Sequence, residues 1–447
     1  MTRLPPVLLN PAVSLRHVRD SRFKTARLSL FTVMPAQREQ SPLTTLLFGI
    51  LRRGSEHYRR LSLLNRRLDE LYGTTLTIRN YLHGDAHVVC YTAEMLEQAL
   101  LPDEDADMDI LRGVMELLAD MILYPLRDED QNLRAEAVEK EKQSLMDSLR
   151  SMKNDTRTYA GNRLREIMCE GEPYGLSIGG TVEQVAAITP AEVTARHREL
   201  LQSTRMEVFY TGRATEEQVV RAWHHAFGDW SPASAGLPET ARHIPPAVPR
   251  SVTEDMAVSQ GKLCLGWSCG ENYGTLREHP DTLAAYAVCN ELFGVMQSSL
   301  LFRRVREELG LCYFCDSSLD MTKGILWVSC GIRPDRRAEA EAAICRQLSD
   351  LQEGKADPAD VELAKLSLLN SYRQIGDSQA SVEAFAFGRL MNRTAETPEE
   401  EMDRIRAVTP ADVVRVAQTF RPDTVFFLNG TDPSAEGEED FDDRFDE

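Results

Sequence analysis

Residues 297–318 read QSSLLFRRVREELGLCYFCDSS, and more of the fold follows from this stretch than from any other. Leu301, Phe302, Val305 and Leu309 recur at spacings of three and four, the apolar stripe of an amphipathic helix. Gly310 follows the last periodic position, where helices commonly end on a residue that tolerates positive φ. The short, aromatic-rich LCYFC that comes next predicts a strand leaving that helix. Arg306 then sits near the helix end and Tyr313 within the strand, so a guanidinium and a phenol can converge on one oxygen as a preorganised donor pair. A surface arginine and a core tyrosine fit the same spacing, which by itself does not choose between the two.

The longer run LFGVMQSSLLFRRVREELGLCYFCDSSL resembles the second-half signature of the pitrilysin/insulinase family of zinc peptidases. In that family an Arg and a Tyr seven positions apart help hold the substrate at the metal, and Arg306 and Tyr313 fall on those positions. The resemblance implies an α+β fold of two homologous α/β halves, each a mostly antiparallel sheet packed with helices, together enclosing a chamber.

Composition bounds the remaining choices. A chain of 447 residues suits two large domains or four smaller ones, and 42% hydrophobic residues suffice for sizeable cores. No apolar run approaches the length of a membrane span, and prolines break the apolar residues of MTRLPPVLLNPAV, so neither a transmembrane helix nor a signal peptide is expected. The formal charge of −19 argues against nucleic acid and anionic membranes as partners. Nine cysteines, an odd number, point to reduced thiols in a cytoplasm. Cys312 and Cys315 form the only CxxC. In a regular strand their spacing of three sends the two side chains to opposite faces, so small core residues are expected there and not a metal or redox site.

RFKTARLSLFTV, residues 22–33, alternates polar and apolar and reads as the opening strand. In SPLTTLLFGILRRGS, Ser41 and Pro42 suit an N-cap and first turn, and Leu43, Leu46, Leu47, Ile50 and Leu51 mark a buried helical face. The resemblance places the family's His-x-x-Glu-His on this helix, where two histidines four apart bind zinc and the glutamate activates the bound water. Matching the family's glycine to Gly54 puts Thr45, Phe48 and Gly49 on those three positions. None can serve, and residues 41–55 contain no His and no Glu; the next histidine is His57. The family's third ligand is a glutamate seven residues after another; Glu141 fits the earlier one, which leaves Ser148 on the ligand position. No bound metal and no other cofactor are therefore expected. His83 and His87 are spaced like a metal pair around Asp85, but Gly84 and Asp85 are turn residues, so HGDAH reads as the bend between two strands.

LPDEDADMD, residues 101–109, reads as an acidic surface insertion, and AVEKEKQSLMDSLRSMKNDTRTYAGNRLREIMC as one or two long helices. AITPAEV at Ala187 recurs as AVTPADV at Ala407, MEVFYTG as TVFFLNG, and VEKEKQSLMDS at Val138 as VELAKLSLLNS at Val361. Three matches at nearly one offset imply an internal duplication. The organisation expected is an N-terminal half over 1–230, a Pro/Ala/Ser-rich linker over 231–251, a C-terminal half over 252–430 and a disordered acidic tail over 431–447.

Together these readings imply a catalytically inactive family member that binds peptide through Arg306 and Tyr313. The resemblance implies pairing with a zinc-bearing homologue in a heterodimeric peptidase, or self-association. Two further functions stay open. One is an active metallopeptidase using unusual ligands such as His83, His87 and a carboxylate. The other is a scaffold or chaperone-like homodimer, and some relatives are linked to elongation factor P modification.

Overall fold

The computed structural model describes residues 3–432, so nearly all of the acidic tail lies outside the described residues. The described residues divide into two compact units, residues 3–151 with 171–240 and 375–395, and residues 152–170 with 241–374 and 396–432. Each is a largely antiparallel sheet packed with helices, the α+β architecture the sequence implied.

In the first unit six strands run in the order Val7–Asn10, Val13–Arg19, Met206–Gly212, Thr25–Pro35, Ala86–Leu96, Thr75–His83. All pairs are antiparallel except Val13–Arg19 with Met206–Gly212. Thr25–Pro35 is buried along nearly its whole length, so its polar/apolar alternation marks a central strand covered on both faces. It does not open the fold: VLLN and VSLRHVR precede it, the first at the sheet edge just after Pro5 and Pro6.

One face carries the main core, including Leu46, Leu47 and Ile50 from the helix Gln40–Leu51 and Trp223 and Phe227 from Glu216–Phe227. Each such fully buried side chain contributes about 1.5–3 kcal/mol. The other face is covered by a helix from far along the chain, Gln379–Met391. Phe387 stacks on Phe31 at 4.2 Å, and Ala386 and Met391 pack beside Val33, Val88 and Phe209. Polar groups at the same contact pair across it: Arg27 with Glu383 at 3.1 Å and with Glu94, and Gln379 Nε2 donates to the Thr25 and Thr211 carbonyls.

The second unit repeats the plan with five strands in the order Cys312–Asp320, Ile325–Ile332, Gly261–Ser268, Arg421–Gly430, Arg250–Met256, of which only the last pair is parallel. Helices Pro280–Asn290, Arg337–Gln352 and Pro358–Gln374 contribute to the core on one face. The helix Thr156–Met168 covers the other, with Ala160 and Leu164 against Cys264, Phe426 and Leu428. The absent side chain of Gly266 admits Met168, whose sulfur lies 2.7 Å from where a Cβ would stand.

The stretch from Ala135 to Cys169 is therefore two helices, Ala135–Ser151 and Thr156–Met168, separated by a short 3₁₀ turn where the chain passes from one unit to the other. Its counterparts, Pro358–Gln374 and Gln379–Met391, begin and end 223 residues later. The duplication extends to single atoms. Lys142 Nζ, buried, donates to the Ile188 carbonyl and to Glu139; Lys365 Nζ donates to Val408 and Glu362 in the same way. Thr189 and Thr409 both close capping boxes, with Glu192 and Asp412. The compact units thus differ from contiguous halves by the exchange of residues 152–170 and 375–395. Among the described residues no helix is long and apolar enough to cross a membrane.

The exchange yields a test. Phe387→Ala should destabilise by about 3–5 kcal/mol through the cavity left against Phe31. Hydrogen exchange should report the loss in Thr25–Pro35 and Met206–Gly212, over 150 residues away in sequence, and leave the sheet containing Gly261–Ser268 protected.

Candidate functional site

The helix expected to carry the metal ligands spans Gln40–Leu51. It begins just before the expected cap: Glu39 precedes the first turn, and Ser41 Oγ accepts from the Gln37 N–H instead. Its apolar residues point into the core, leaving Thr45 and Gly49, four apart, on the less buried side. Phe48 is buried in the core with its ring tilted against Tyr91, centroids 5.7 Å apart.

Thr45 and Gly49 each have specific neighbours. The Thr45 hydroxyl donates to the Ile178 carbonyl at 2.9 Å and accepts from Asn80 Nδ2 at 2.7 Å. Asn80 Oδ1 in turn takes a hydrogen bond from His87 Nε2. This chain of donors runs in one direction, so it places the imidazole proton on Nε2 and leaves the buried Nδ1 without a partner among the described residues. Burial, with Arg196 nearby, pushes the His87 pKa down from 6.5 to about 4.

At Gly49 the space a side chain would fill is taken by the carboxylate of Glu141. Arg53, one turn further along, holds that carboxylate with Nε at 2.6 Å from Oε2. Glu141 is thus the acid that the fold brings against Gly49. Ser148, two turns on, is exposed on the same helix. His83 and His87 cannot share an ion. His83 pairs with Ala86, on the sheet face of Val88 and Phe387, whereas His87 pairs with Leu82 and belongs to the opposite face. The two-residue bend Gly84–Asp85 between them is the turn the sequence suggested.

The Arg306 region of the second unit departs from a regular helix and strand at two points. Leu301–Glu308 is wound as a π-helix, preceded by a π-helical turn at Glu291–Val295. The wider turn keeps Leu301 and Val305 buried but rotates Leu309 off the stripe, leaving it 53% exposed; the expectation that Leu309 continues the apolar face fails for this reason. Gly294 lets the first π turn touch the strand: a Cβ there would meet Ser317 Oγ at 2.5 Å. Gly310 stops the helix at φ 57°, as read from the sequence.

The strand Cys312–Asp320 lies at the edge of its sheet, and its register slips between Cys312 and Phe314, making Tyr313 the extra residue of a β-bulge. Cys312 stands opposite Ile332, while Phe314 is already opposite Gly331 and Cys315 opposite Cys330. The bulge therefore puts Cys312 and Cys315 on one face. This overturns the opposite-face expectation, which assumed an unbroken pleat. The sulfurs of Cys312, Cys315 and Cys330 all lie within 4.8 Å of one another. Hydrogen bonding from the other two thiols, aided by the Arg306 guanidinium, lowers the Cys312 pKa, while those of Cys315 and Cys330 are raised. The bulge also turns Tyr313 outward, 53% exposed, so it is not a core tyrosine. Arg306 is exposed too, its guanidinium 4.9 Å above the Phe302 ring.

The helix Gln40–Leu51 carries neither His nor Glu, Glu141 fills the space beside Gly49, and Arg306 and Tyr313 are both exposed. The sequence profile of the "Peptidase M16 inactive domain" matches residues 187–368. The "Probable inactive metalloprotease YmfF" of Bacillus subtilis (strain 168) is 26% identical over 415 residues, 93% of this chain and 95% of that protein. Among solved structures, a conserved protein from Enterococcus faecalis V583 superposes with a TM-score of 0.85 at 26% identity, covering 97% of this chain and 100% of that one. A peptidase M16 inactive domain from Pseudomonas fluorescens, 16% identical, has the same fold at a TM-score of 0.76, with 96% and 98% covered. These matches support a member of the pitrilysin/insulinase (M16) family of the inactive kind.

Two outcomes test this description. Thr45→His with Phe48→Glu and Gly49→His should create zinc affinity that uses Glu141 as the carboxylate, so adding Glu141→Gln should abolish it while Ser148→Glu is not required; metal analysis of the folded variants decides. Unfolded His87 titrates near 6.5 and folded His87 near 4, so stability is complete above the upper value and falls as pH drops between them. His87→Gln should reduce that acid dependence by about 1.4 kcal/mol per pH unit, read from denaturation midpoints at pH 7 and pH 5.

Proposed function

We propose that this protein is a non-catalytic, peptide-binding subunit that completes a heterodimeric peptidase with a His-x-x-Glu-His-bearing homologue. The observation that carries the reading is the contrast between the two parts of the site. The metal positions are filled by interactions of their own, Thr45 with Asn80 and Ile178, and Glu141 with Arg53. Arg306 and Tyr313 are instead held outward, on either side of the Gly310 turn, next to the edge strand of their sheet. A solvated arginine and a bulged tyrosine contribute little to the core, so stability alone does not account for their placement. An extended peptide can pair with the open side of Cys312–Asp320, while the two donors take one of its carbonyls.

Arg306→Ala with Tyr313→Phe should leave folding and partner association nearly unchanged. It should lower peptide turnover by the assembled pair about tenfold or more, equivalent to about 1.4 kcal/mol in transition-state or substrate binding. Wild-type turnover in the folded double variant would remove both residues from the site. Co-purification of a His-x-x-Glu-His homologue from the native cell tests the partnership itself; recovery of self-associated chains alone would replace it with a homodimer.

A further inference from the structure

The three sulfurs gathered by the Tyr313 bulge have no part in peptide binding, and their arrangement is specific. Cys312 and Cys315 approach from the edge strand and Cys330 from its neighbour, with Cys315 directly opposite Cys330. None is in a disulfide. Cys315 and Cys330 are buried, and Cys312 is partly exposed, which provides a route in from solvent. We propose that Cys312, Cys315 and Cys330 form a three-thiolate site for one thiophilic cation, zinc(II) or copper(I).

Zinc–sulfur bonds of about 2.3 Å place the sulfurs of a tetrahedral site about 3.8 Å apart. The present separations, all within 4.8 Å, require less than about 1 Å of closure to meet that value. Side-chain rotation at the bulge can supply it, because Cys312 is the least confined of the three. Thiolate-only coordination selects zinc and copper(I) over hard cations, and the Arg306 guanidinium acting on Cys312 offsets part of the negative charge that three thiolates bring. For zinc, the partly exposed side of Cys312 leaves a fourth position for water; copper(I) needs no fourth ligand. Binding releases up to three thiol protons to solvent and changes no oxidation state. The loop closed by Cys312 and Cys315 contains Tyr313, so a bound cation would tie the bulge to the neighbouring strand. The site uses none of Thr45, Phe48, Gly49 or Ser148, and Arg306 and Tyr313 border it without supplying a ligand.

The experiment titrates the reduced full-length chain, under a non-thiol reductant and without oxygen, with cobalt(II) as an optical stand-in for zinc, then with zinc(II). A separate arm uses copper(I) against a competing chelator. Saturation at one equivalent with a thiolate-to-metal absorption band is expected, and the cation should protect Cys312 from alkylation while Cys345, exposed and remote in sequence, stays reactive. Cys312→Ser should weaken binding at least about hundredfold, more than loss of an outer-shell contact does, and Cys345→Ser should leave it unchanged. Saturation by copper(I) alone supports the site and assigns copper to it. Absence of stoichiometric binding of all three metals overturns the proposal, as does binding that survives Cys312→Ser. Because Cys312 is only partly buried, its variant is the one to keep if Cys315→Ser or Cys330→Ser fails to fold, and loss of metal-induced thermal stabilisation in that variant gives a second readout.

Discussion

A sheet whose two faces are both apolar must be covered on both, and that requirement governs this structure. Phe31, Val33, Val88 and Phe209 form an apolar face that no helix of residues 1–151 covers; Phe387, with Ala386 and Met391, does so from the other end of the chain. In the second unit Ala160 and Leu164 do the same for Cys264, Phe426 and Leu428. Burying an apolar face is worth far more than the modest entropy of closing a long loop, so the chain can cover each sheet with a distant helix. The buried Arg27–Glu383 pair and the two bonds of Gln379 then set the register of that helix, because displacing it would strand a charge and an amide away from water.

The same logic applies to the polar groups beside the helix Gln40–Leu51. Asn80 is satisfied by Thr45 and His87, and Glu141 by Arg53 over the bare backbone of Gly49. Phe48 adds apolar area to the core beside Tyr91. The less buried side of this helix is thus tied into a set of hydrogen bonds.

The bulge at Tyr313 has the opposite character. One extra residue in an edge strand turns a tyrosine to solvent, ends regular pairing beside the Gly310 turn, and swings Cys312 onto the face of Cys315 and Cys330. The π-helical winding of Leu301–Glu308 sets where Arg306 emerges. Both are local irregularities with a cost in ladder or helix geometry, and they occur together at the segment the peptide-binding reading depends on.

Much of this was legible in the sequence. The stop at Gly310, the absence of His and Glu from residues 41–55, the HGDAH turn and the repeated Thr-Pro-Ala-acid capping boxes are local patterns, set by φ preference, side-chain chemistry and short-range hydrogen bonding. Such features need no knowledge of the rest of the chain. What only the tertiary structure decided are the features that depend on register or on distant partners. Period counting cannot see a one-residue bulge, so it sent Cys312 and Cys315 to opposite faces, and it cannot see a π turn, so it kept Leu309 on the buried stripe. Nor could it show that Glu141 would lie over Gly49, or that Phe387 would close a sheet begun more than 350 residues earlier. Those contacts join segments remote in sequence, and their energy exists only once the whole fold has brought them together.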